Sequence, residues 1–319
     1  MAEALLKLRV HAMTYEADGI FSFDLRSPDG SELPAFTAGA HLDVCIAPEM
    51  ERSYSLTNPQ DERHRYVIAV CRDAASRGGS KFMCETVRVG DMLTIRAPSN
   101  TFELAETPAE SVFIGGGIGI TPLLGMIRRL EAQGAAWSLH YAARTRNVAA
   151  FQDEFAALER VKPGRVHITF DHEPGAAKLD LAAIFGKAVP EAHIYCCGPT
   201  GMLLAFEAAA AARAPETVHR EYFSPTQEAA RGGFTVELRR SKKSFLVPVD
   251  KSILQTLLDN GCRVNHSCTE GVCGTCETRV LEGIPDHRDN VLSPREKAAN
   301  KAMMICCSGA KTEKLVLDI

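Results

Sequence analysis

The sequence has a single tryptophan, no long apolar run and little net charge over its 319 residues. No apolar stretch approaches the roughly 20 residues that cross a bilayer as a helix, so we expect no membrane association. The 36 lysines and arginines nearly balance the 40 aspartates and glutamates, which argues against a nucleic-acid-binding protein. The first residues lack a basic segment followed by an apolar one, so we expect no signal peptide and a cytoplasmic location.

Cysteine, in contrast, is abundant and unevenly distributed. Six of the eleven cysteines lie between Cys262 and the C-terminus. An odd number of cysteines without an export signal argues against a disulfide framework. The distribution instead favours reduced thiols together with one cluster of metal ligands.

The patterning divides the chain into three predicted domains and a linker. Residues 1–103 contain short apolar stretches separated by turn signals, which is typical of a small antiparallel β-barrel or sandwich. Residues 104–223 alternate predicted strands with predicted helices, which indicates a parallel α/β sheet. Small and polar residues make 224–233 a predicted linker. Residues 234–319 begin with a predicted hairpin, followed by a helix that starts after Ser252 as its N-cap.

Four apolar stretches of the second domain are predicted to be strands, and four further segments are predicted to be helices. The predicted strands are 111–114, 138–142, 166–170 and 193–197. The predicted helices are 122–133, 150–159, 179–185 and 200–213.

The strongest local pattern is a group of cysteines near the C-terminus. Cys268, Cys273 and Cys276 are followed by Cys306, which gives the C-x4-C-x2-C…C spacing of plant-type [2Fe–2S] ligands. Three ligands on one loop must fold around one cluster, and the intervening glycines allow the backbone to approach it closely. A zinc site and unliganded core cysteines are the alternative interpretations, and the adjacent Cys307 is a second candidate for the fourth ligand.

These cysteines, with the segments 267–276, 286–289 and 315–319, resemble the ferredoxin domain of the phthalate dioxygenase reductase and vanillate demethylase reductase family. The resemblance implies that the C-terminal domain has a β-grasp fold. It covers essentially the whole chain in one domain order, which is flavin, pyridine nucleotide and ferredoxin. It therefore implies FMN, NADH and a [2Fe–2S] cluster as cofactors.

A glycine-rich segment, Gly115–Pro122, lies between a predicted strand and a predicted helix. Thr121 is predicted to be the N-cap of that helix and Pro122 its first residue. Glycines at this position let a pyrophosphate meet the free N–H groups of the helix, and tight packing of strand on helix is the alternative interpretation.

This segment and the later segment 195–199 are similar to the pyridine-nucleotide domain of ferredoxin–NADP reductase-type enzymes. The resemblance implies that Thr121 and Cys197 lie close to the nicotinamide and flavin rings. The same site would include Gly117, Gly198 and Pro199.

The resemblance places ribose selectivity after the middle strands, where Arg144 and Asp171 stand. A carboxylate at Asp171 can accept hydrogen bonds from ribose hydroxyls and would repel a 2′-phosphate, which favours NADH over NADPH. Arg144 is interpreted as a partner of the pyrophosphate or as a residue favouring NADPH. A surface salt bridge is the alternative for both residues.

The segment Arg52–Leu56 is a candidate flavin site. The Arg52 guanidinium can grip a phosphate by a forked contact, and the Tyr54 ring can cover an aromatic ring system. Ser55 can serve the reactive edge of the flavin, and Ser53 completes the segment. A strand with an exposed arginine is the alternative interpretation, but the segment resembles the R-x-Y-S flavin motif of the family.

A second group of candidate flavin residues follows. Gly78, Gly79 and Ser80, after Arg77, form a possible phosphate cradle of N–H groups and a hydroxyl. The resemblance implies that Ala69, Val70 and Cys71 line the flavin and that Phe223 lies near its face, although core packing also suits Phe223. No long insertion that would hold an adenine follows the R-x-Y-S motif, so FMN is predicted rather than FAD.

These cofactors define an expected electron path. NADH gives two electrons as a hydride, whereas a [2Fe–2S] cluster accepts one at a time, and a flavin can hold two, one or none. We expect hydride transfer from NADH to FMN, followed by two single-electron steps to the cluster. No acid or base is needed, so no residue is predicted for acid–base catalysis.

The terminal electron acceptor is not encoded in this sequence. The sequence lacks the two-Cys, two-His pattern of a Rieske centre. The resemblance implies a separate Rieske-type aromatic-ring oxygenase or demethylase as partner. The 224–233 linker leads to the hypothesis that the ferredoxin domain swings between the flavin and this partner. The alternatives are a di-iron enzyme or a cytochrome as acceptor, and a non-catalytic protein that binds zinc and a nucleotide.

Overall fold

The computed structural model describes residues 5–47, 50–73, 78–107, 109–175 and 178–319. The chain forms two compact units, of which the first ends at Glu221 and the second begins at Tyr222. The first unit contains an antiparallel and a parallel sheet, and the second contains a mixed sheet. Within the described ranges, no helix combines the length and the apolar character that crossing a bilayer requires.

The first sheet is antiparallel and has six strands. These strands are β1 Leu5–Ala17, β2 Ile20–Arg26, β3 His41–Ala47, β4 Met50–Ser55, β5 Tyr66–Cys71 and β6 Met92–Arg96. Their spatial order is β4-β3-β6-β1-β2-β5, and an isolated bridge between Leu56 and Ile68 connects the two outer strands. One helix, α1 Gly79–Glu85, follows β5; neither α1 nor β1 was predicted.

Both faces of this sheet carry buried apolar side chains. Alternation along a strand sends successive side chains to opposite faces. In β5, Ile68 and Val70 pack in the core of the first sheet. Ala69, between them, packs instead in a cluster that includes Phe113 and Ile120 of the following domain. The two sheets of the first unit therefore share a buried interface.

The second sheet is parallel throughout, which confirms the predicted α/β class. Its strands are β7 Ser111–Gly116, β8 Trp137–Ala143, β9 Val166–Phe170, β10 His193–Cys197 and β11 Val218–Glu221. Their spatial order is β11-β10-β7-β8-β9. The helices that follow its first four strands are α2 Ile120–Gln133, α3 Gln152–Val161, α4 Leu181–Lys187 and α5 Thr200–Ala210. Every residue of β7 is buried, as expected for a strand covered on both faces.

The helix after the glycine segment begins earlier than predicted. The N-cap of α2 is Gly119, so the prediction of Thr121 as N-cap and Pro122 as first residue is wrong. The reason is that residues 117–119 already form a 3-10 turn that continues directly into α2. The Thr121 hydroxyl donates to the Ile118 carbonyl at 3.0 Å instead of capping the helix.

Other helix boundaries differ from the prediction by a few residues. Both α3 and α4 begin two residues later than predicted, and α5 ends at Ala210 instead of at residue 213. The late start of α4 has a local cause, because the Asp180 side chain accepts a hydrogen bond from Ala183 N at 2.9 Å and so acts as the N-cap.

The second unit contains a five-stranded mixed sheet and a two-stranded sheet. Its elements are β12 Phe234–Leu238, β13 Lys243–Val247, α6 Ile253–Asp259, β14 Glu277–Glu282, β15 Pro285–Asp286, α7 Pro294–Ala299, β16 Ala302–Met304, β17 Gly309–Ala310 and β18 Lys314–Leu317. The larger sheet has the order β13-β12-β18-β14-β16, and β15 pairs with β17. The predicted hairpin is confirmed as β12 and β13, and Ser252 is confirmed as the N-cap of α6.

The predicted linker, 224–233, is bonded to the second unit, and we call it the strap. The Thr226 hydroxyl donates to the side-chain oxygen of Asn290 at 2.5 Å. The backbone N–H of Ala230 donates to the carbonyl of Cys307 at 2.8 Å. The strap is therefore not a free tether, because these bonds hold it against the unit that carries the cysteine loop.

Candidate functional site

The order of the parallel sheet reverses between β7 and β10, and a crevice at such a switch point is a common ligand site. The segments that leave these strands approach each other backbone to backbone. A Cβ on Gly119 would lie 2.3 Å from the carbonyl oxygen of Cys197, and a Cβ on Gly116 would lie 2.6 Å from Cδ of Pro199. The glycines are thus required for close packing, and that packing brings the glycine segment onto residues 197–199.

Gly117 is a glycine for a different reason. Its φ is +54°, which side chains rarely adopt, and a Cβ on it would meet nothing within 4 Å. The open space lies beside the turn that starts α2, while Thr121 is buried behind it. The arrangement leaves room for a phosphate beside Gly117, at the N–H groups of the turn and helix.

A thiol and a carboxyl group lie together where β10 and β11 end. Cys197 pairs with Glu221 in register, and its thiol donates to Glu221 Oε2 at 4.0 Å. Burial raises the pKa of Glu221 to about 8, and burial together with the Glu221 charge raises the pKa of Cys197. At neutral pH this end of the crevice therefore presents two mostly uncharged groups. Glu221 was not selected from the sequence, because the pairing that places it beside Cys197 is not local.

Arg144 and Asp171 directly follow the neighbouring strands β8 and β9. The N–H of Asp171 donates to the carbonyl of Ala143 at 2.9 Å, which fixes both residues at the same edge of the sheet. Both are exposed, so they are accessible to a ligand. Arg146, which was not predicted, lies with its guanidinium carbon 4.5 Å from the centre of the Phe170 ring.

The candidate phosphate residues of the first domain converge at the start of α1. A Cβ on Gly79 would lie 2.6 Å from Cγ of Arg52, so the arginine stem runs directly over that glycine. Gly78 has a φ of +106°, which turns the chain into the helix. The Arg52 guanidinium donates to the Glu51 carbonyl at 2.7 Å and has no carboxylate partner among the described residues. It thus lies beside the N–H groups at the start of α1.

The R-x-Y-S segment forms β4, and its residues alternate between two sides of the strand. Tyr54 is on the same side as Arg52, is half-buried, and has a pKa raised by burial. Ser53 is on the other side and donates to Asp43 Oδ1 at 2.6 Å. The structure therefore does not bring Ser53 to the Arg52 side. Ser55 is buried at the end of the strand.

The remaining predicted flavin residues lie around β5. Val70 packs inside the first sheet, whereas Ala69 and Cys71 contribute to the cluster shared with the glycine segment. Ser80 accepts a hydrogen bond from the N–H of Asp73 at 3.2 Å. Arg77 lies outside the described residues. Phe223 belongs to the second unit and is 39% exposed, so its contact with a flavin stays a prediction.

Two residues of α2 fix the end of the R-x-Y-S segment, and neither was predicted. A Cβ on Gly125 would lie 2.8 Å from the carbonyl oxygen of Leu56. Arg128 donates to the carbonyl of Thr57 at 2.6 Å and forms paired hydrogen bonds with Glu154 at 2.8 and 2.6 Å. The helix that begins at the glycine segment therefore also anchors the chain that leaves β4.

The four predicted cluster ligands lie together in the second unit. They are at most 8% exposed, and all eleven cysteines of the chain are free thiols. Hydrogen bonds from Cys273 and Cys306 lower the pKa of Cys268, and a hydrogen bond from Cys306 lowers the pKa of Cys276. The same hydrogen bonds raise the pKa of the two donors, Cys273 and Cys306. The N–H of Glu270 donates to the Cys268 sulfur at 3.3 Å. Four buried thiols that contact one another, one of which also accepts a backbone N–H, suit a [2Fe–2S] cluster.

The segment after β15 braces this loop. Gly271 has a φ of +73°, and a Cβ on it would lie 3.2 Å from Cα of Asp289. The N–H of Asn290 donates to the Gly271 carbonyl at 2.9 Å. The buried Asp289 carboxylate accepts from the N–H of Leu292 at 2.8 Å. Residues 289–290 thus contact the cysteine loop and fix the backbone of Gly271.

Comparisons with known proteins match the two parts of the chain that contain the glycine segment and the cysteine loop. The family model for an oxidoreductase NAD-binding domain matches residues 113–207, and the model for a 2Fe-2S iron-sulfur cluster binding domain matches residues 236–311. The phenoxybenzoate dioxygenase subunit beta of Ectopseudomonas oleovorans is 50% identical, over 99% of this chain and 98% of that protein. The tetrachlorobenzoquinone reductase of Sphingobium chlorophenolicum is 48% identical, over 98% of each chain.

A solved structure is similar over its full length. It is a phthalate dioxygenase reductase, described as modular for electron transfer from pyridine nucleotides to [2Fe–2S]. It matches with a TM-score of 0.76 and 40% identity, over 99% of this chain and 98% of that one. Fold and site thus define an oxidoreductase with an NAD-binding domain and a [2Fe–2S] domain. The chain belongs to the phthalate dioxygenase reductase family, which confirms the resemblance found in the sequence.

Proposed function

We propose that this chain is the NADH-dependent reductase component of a two-component oxygenase, and that its acceptor is a separate Rieske-type aromatic-ring oxygenase or demethylase. The proposal is carried by one observation: β5, the glycine segment and Cys197 contribute to one buried cluster, in a chain that also brings three buried thiols of one loop together with Cys306. Relatives named as dioxygenase and demethylase components support the choice of acceptor.

We infer the domain boundaries 1–103, 104–223 and 234–319, with the strap at 224–233. The bridge between Leu56 and Ile68 joins the outer strands of the first sheet, as closure into a barrel requires. The hairpin, α6 and the mixed sheet around β18 are compatible with a β-grasp fold in the third domain.

The flavin site is assigned to the junction of β4, β5 and α1. When bound, FMN takes the two electrons of the hydride and passes them on singly to the [2Fe–2S] cluster. Arg52 supplies forked donors to the phosphate, and Gly79 leaves room for the arginine stem that brings them to the start of α1. Tyr54, on the same side of β4 as Arg52, covers the ring system.

The dinucleotide is assigned to the crevice of the parallel sheet. The turn at Gly117 and the N-terminus of α2 bind the pyrophosphate, which Arg144 also contacts. Asp171 accepts from the ribose hydroxyls and disfavours a 2′-phosphate. The uncharged pair of Cys197 and Glu221 borders the nicotinamide and keeps fixed charge away from it.

Cys268, Cys273, Cys276 and Cys306 are assigned as the ligands of the cluster. Thiolates bind iron, and the N–H of Glu270 stabilises the charge on the Cys268 sulfur. None of the eleven cysteines forms a disulfide, which suits a reducing compartment, and we therefore place the protein in the cytoplasm.

Reduction of cytochrome c by NADH tests the proposed electron path. Cytochrome c accepts single electrons, so the wild-type protein should reduce it, and Cys273→Ala should not. Cys273→Ala should keep NADH-dependent reduction of ferricyanide, which accepts electrons from the flavin. Equal cytochrome c reduction by Cys273→Ala would contradict a path through the cluster. Addition of candidate oxygenases to the same mixture then identifies the acceptor.

A quinone is the second candidate acceptor. A relative that is 48% identical over 98% of both chains is named a tetrachlorobenzoquinone reductase. Substituted benzoquinones replace cytochrome c in the same assay. Faster turnover with a quinone than with any oxygenase would favour this function.

A further inference from the structure

A fifth buried thiol, which no part of the electron path uses, lies against the loop that contains Cys268, Cys273 and Cys276. Cys307 follows Cys306 in the turn after β16, and each is only 4% exposed. Consecutive side chains of an extended strand point to opposite sides, but these two residues lie in a turn. Both side chains can therefore reach the same loop.

The position of the Cys307 sulfur follows from Gly271. A Cβ on Gly271 would lie 2.4 Å from Cys307 Sγ, so only a glycine leaves room for this sulfur. Gly271 lies in the loop between Cys268 and Cys273. The Cys307 sulfur therefore lies against the segment that joins two of the assigned ligands.

A hydrogen bond joins this thiol to the Cys306 thiol, and its remaining polar contacts are weak. Its sulfur lies 3.9 Å from the Met304 carbonyl and 3.9 Å from the Ser308 hydroxyl, near the outer limit for a hydrogen bond to sulfur. The Cys307 backbone, in contrast, is fixed by the hydrogen bond from Ala230 of the strap. The backbone is thus held in place, and the thiol lies next to that of the assigned ligand Cys306.

We propose that Cys307 is a substitute ligand of the iron–sulfur cluster, which can bind iron in place of Cys306. The inference rests on the proposed function, in which Cys306 is the fourth ligand. In the exchange, the Cys307 thiol releases a proton to water and bonds iron. The Cys306 thiolate leaves iron and takes up a proton, and no electron is transferred.

Packing is the competing role for Cys307, because the residue also contributes to the apolar core of the second unit. A packing thiol would support the fold but would not hold iron when Cys306 is absent. Cys262 is a matched control, because it is a thiol of the same unit that packs against the same core from outside the loop.

The test compares full-length Cys306→Ala, Cys307→Ala, the double variant and Cys262→Ala, each purified anaerobically. Iron and sulfide are measured per FMN, and spectra are recorded before and after reduction with dithionite. We expect iron–sulfur absorbance in Cys306→Ala, with a shifted spectrum because one ligand has changed. We expect none in the double variant, and a wild-type spectrum in Cys262→Ala. NADH-dependent ferricyanide reduction reports the integrity of the first unit in every variant.

Loss of all cluster iron from Cys306→Ala, as in the double variant, would overturn the inference and leave the proposed function intact. The same two variants are also compared after anaerobic reconstitution with iron and sulfide, so that poor assembly in the cell cannot imitate this result. Loss of the cluster from Cys307→Ala alone would make Cys307 the resident ligand and would also overturn the inference. A wild-type protein without an iron–sulfur spectrum would instead contradict the proposed function.

Discussion

The carbonyl oxygen of Cys197 lies only 2.3 Å from the position that a Cβ on Gly119 would take. This close approach joins the turn before α2 to the end of β10, and it defines the width of the crevice between them. Because the contact is with backbone, it cannot be relieved by rotation of a side chain. The geometry of the proposed dinucleotide site therefore requires that residue 119 has no side chain.

Gly119→Ala should separate these two segments. We predict a fall in kcat/KM for NADH of about 100-fold, since a displacement of roughly 1 Å in a positioning element can cost that much. Gly201→Ala is the matched control, because a Cβ on Gly201, in the first turn of α5, meets nothing within 4 Å. Steady-state ferricyanide reduction measures both variants, and equal activity of the two would contradict the assignment of the crevice.

Arg52→Lys should weaken FMN binding while keeping the positive charge. A lysine cannot make the forked contact with a phosphate, and the loss of one charge-assisted hydrogen bond, about 1.5–3 kcal/mol, predicts at least roughly tenfold weaker binding. Fluorescence titration of the apoprotein with FMN gives the Kd. Arg26→Lys is the control, because Arg26 lies in the same sheet and pairs with Asp24. If Arg52→Lys retains wild-type FMN affinity, the phosphate lies elsewhere.

Asp171→Ala should reduce the preference for NADH over NADPH. Removal of the carboxylate removes both an acceptor for the ribose hydroxyls and a charge that repels the 2′-phosphate. We predict that the ratio of kcat/KM values falls by about tenfold, which corresponds to ~1.4 kcal/mol. Asp153→Ala, an exposed carboxylate on α3, should leave the ratio unchanged. An unchanged ratio in Asp171→Ala would remove this residue from the ribose site.

Glu221 should make the stability of the protein depend on pH. Burial raises its pKa from 4.5 to about 8 in the folded state, so the folded state binds a proton that the unfolded state has released. The contribution of the neutral Glu221 side chain to the free energy of unfolding is fully present below pH 4.5. It is lost as the pH rises through about 8. We predict that Glu221→Gln has a flatter dependence of Tm on pH across this window than the wild type. Glu216 is exposed, so Glu216→Gln should have the same dependence of Tm on pH as the wild type. A Glu221→Gln protein with the wild-type dependence would contradict the effect of burial on Glu221.

Local patterns predicted the second domain well. The boundaries of β9 and β10 match the prediction, because each is a short apolar run between turn signals. The same reasoning missed β1, where exposed and half-buried residues are mixed along most of the strand. It also missed α1, whose first residue is the second glycine of a pair that is typical of a turn.

Contacts between residues that are distant in the sequence could not be predicted from local patterns. The composition of 224–233 is that of a linker, but the Asn290 and Cys307 contacts that hold it come from distant parts of the chain. Glu221 is likewise placed beside Cys197 only by the pairing of β10 with β11. The grouping of the four cysteines, in contrast, was predicted from their spacing, because the geometry of a cluster restricts that spacing directly. Their role as ligands stays a prediction.

Anaerobic stopped-flow absorbance of the purified protein mixed with NADH tests the central claim most directly. The account predicts that flavin absorbance falls first, that iron–sulfur absorbance falls after it, and that both changes are much faster with NADH than with NADPH. A colourless protein, or a flavin that bleaches in a protein without iron–sulfur absorbance, would contradict the electron path from NADH through FMN to the cysteine loop.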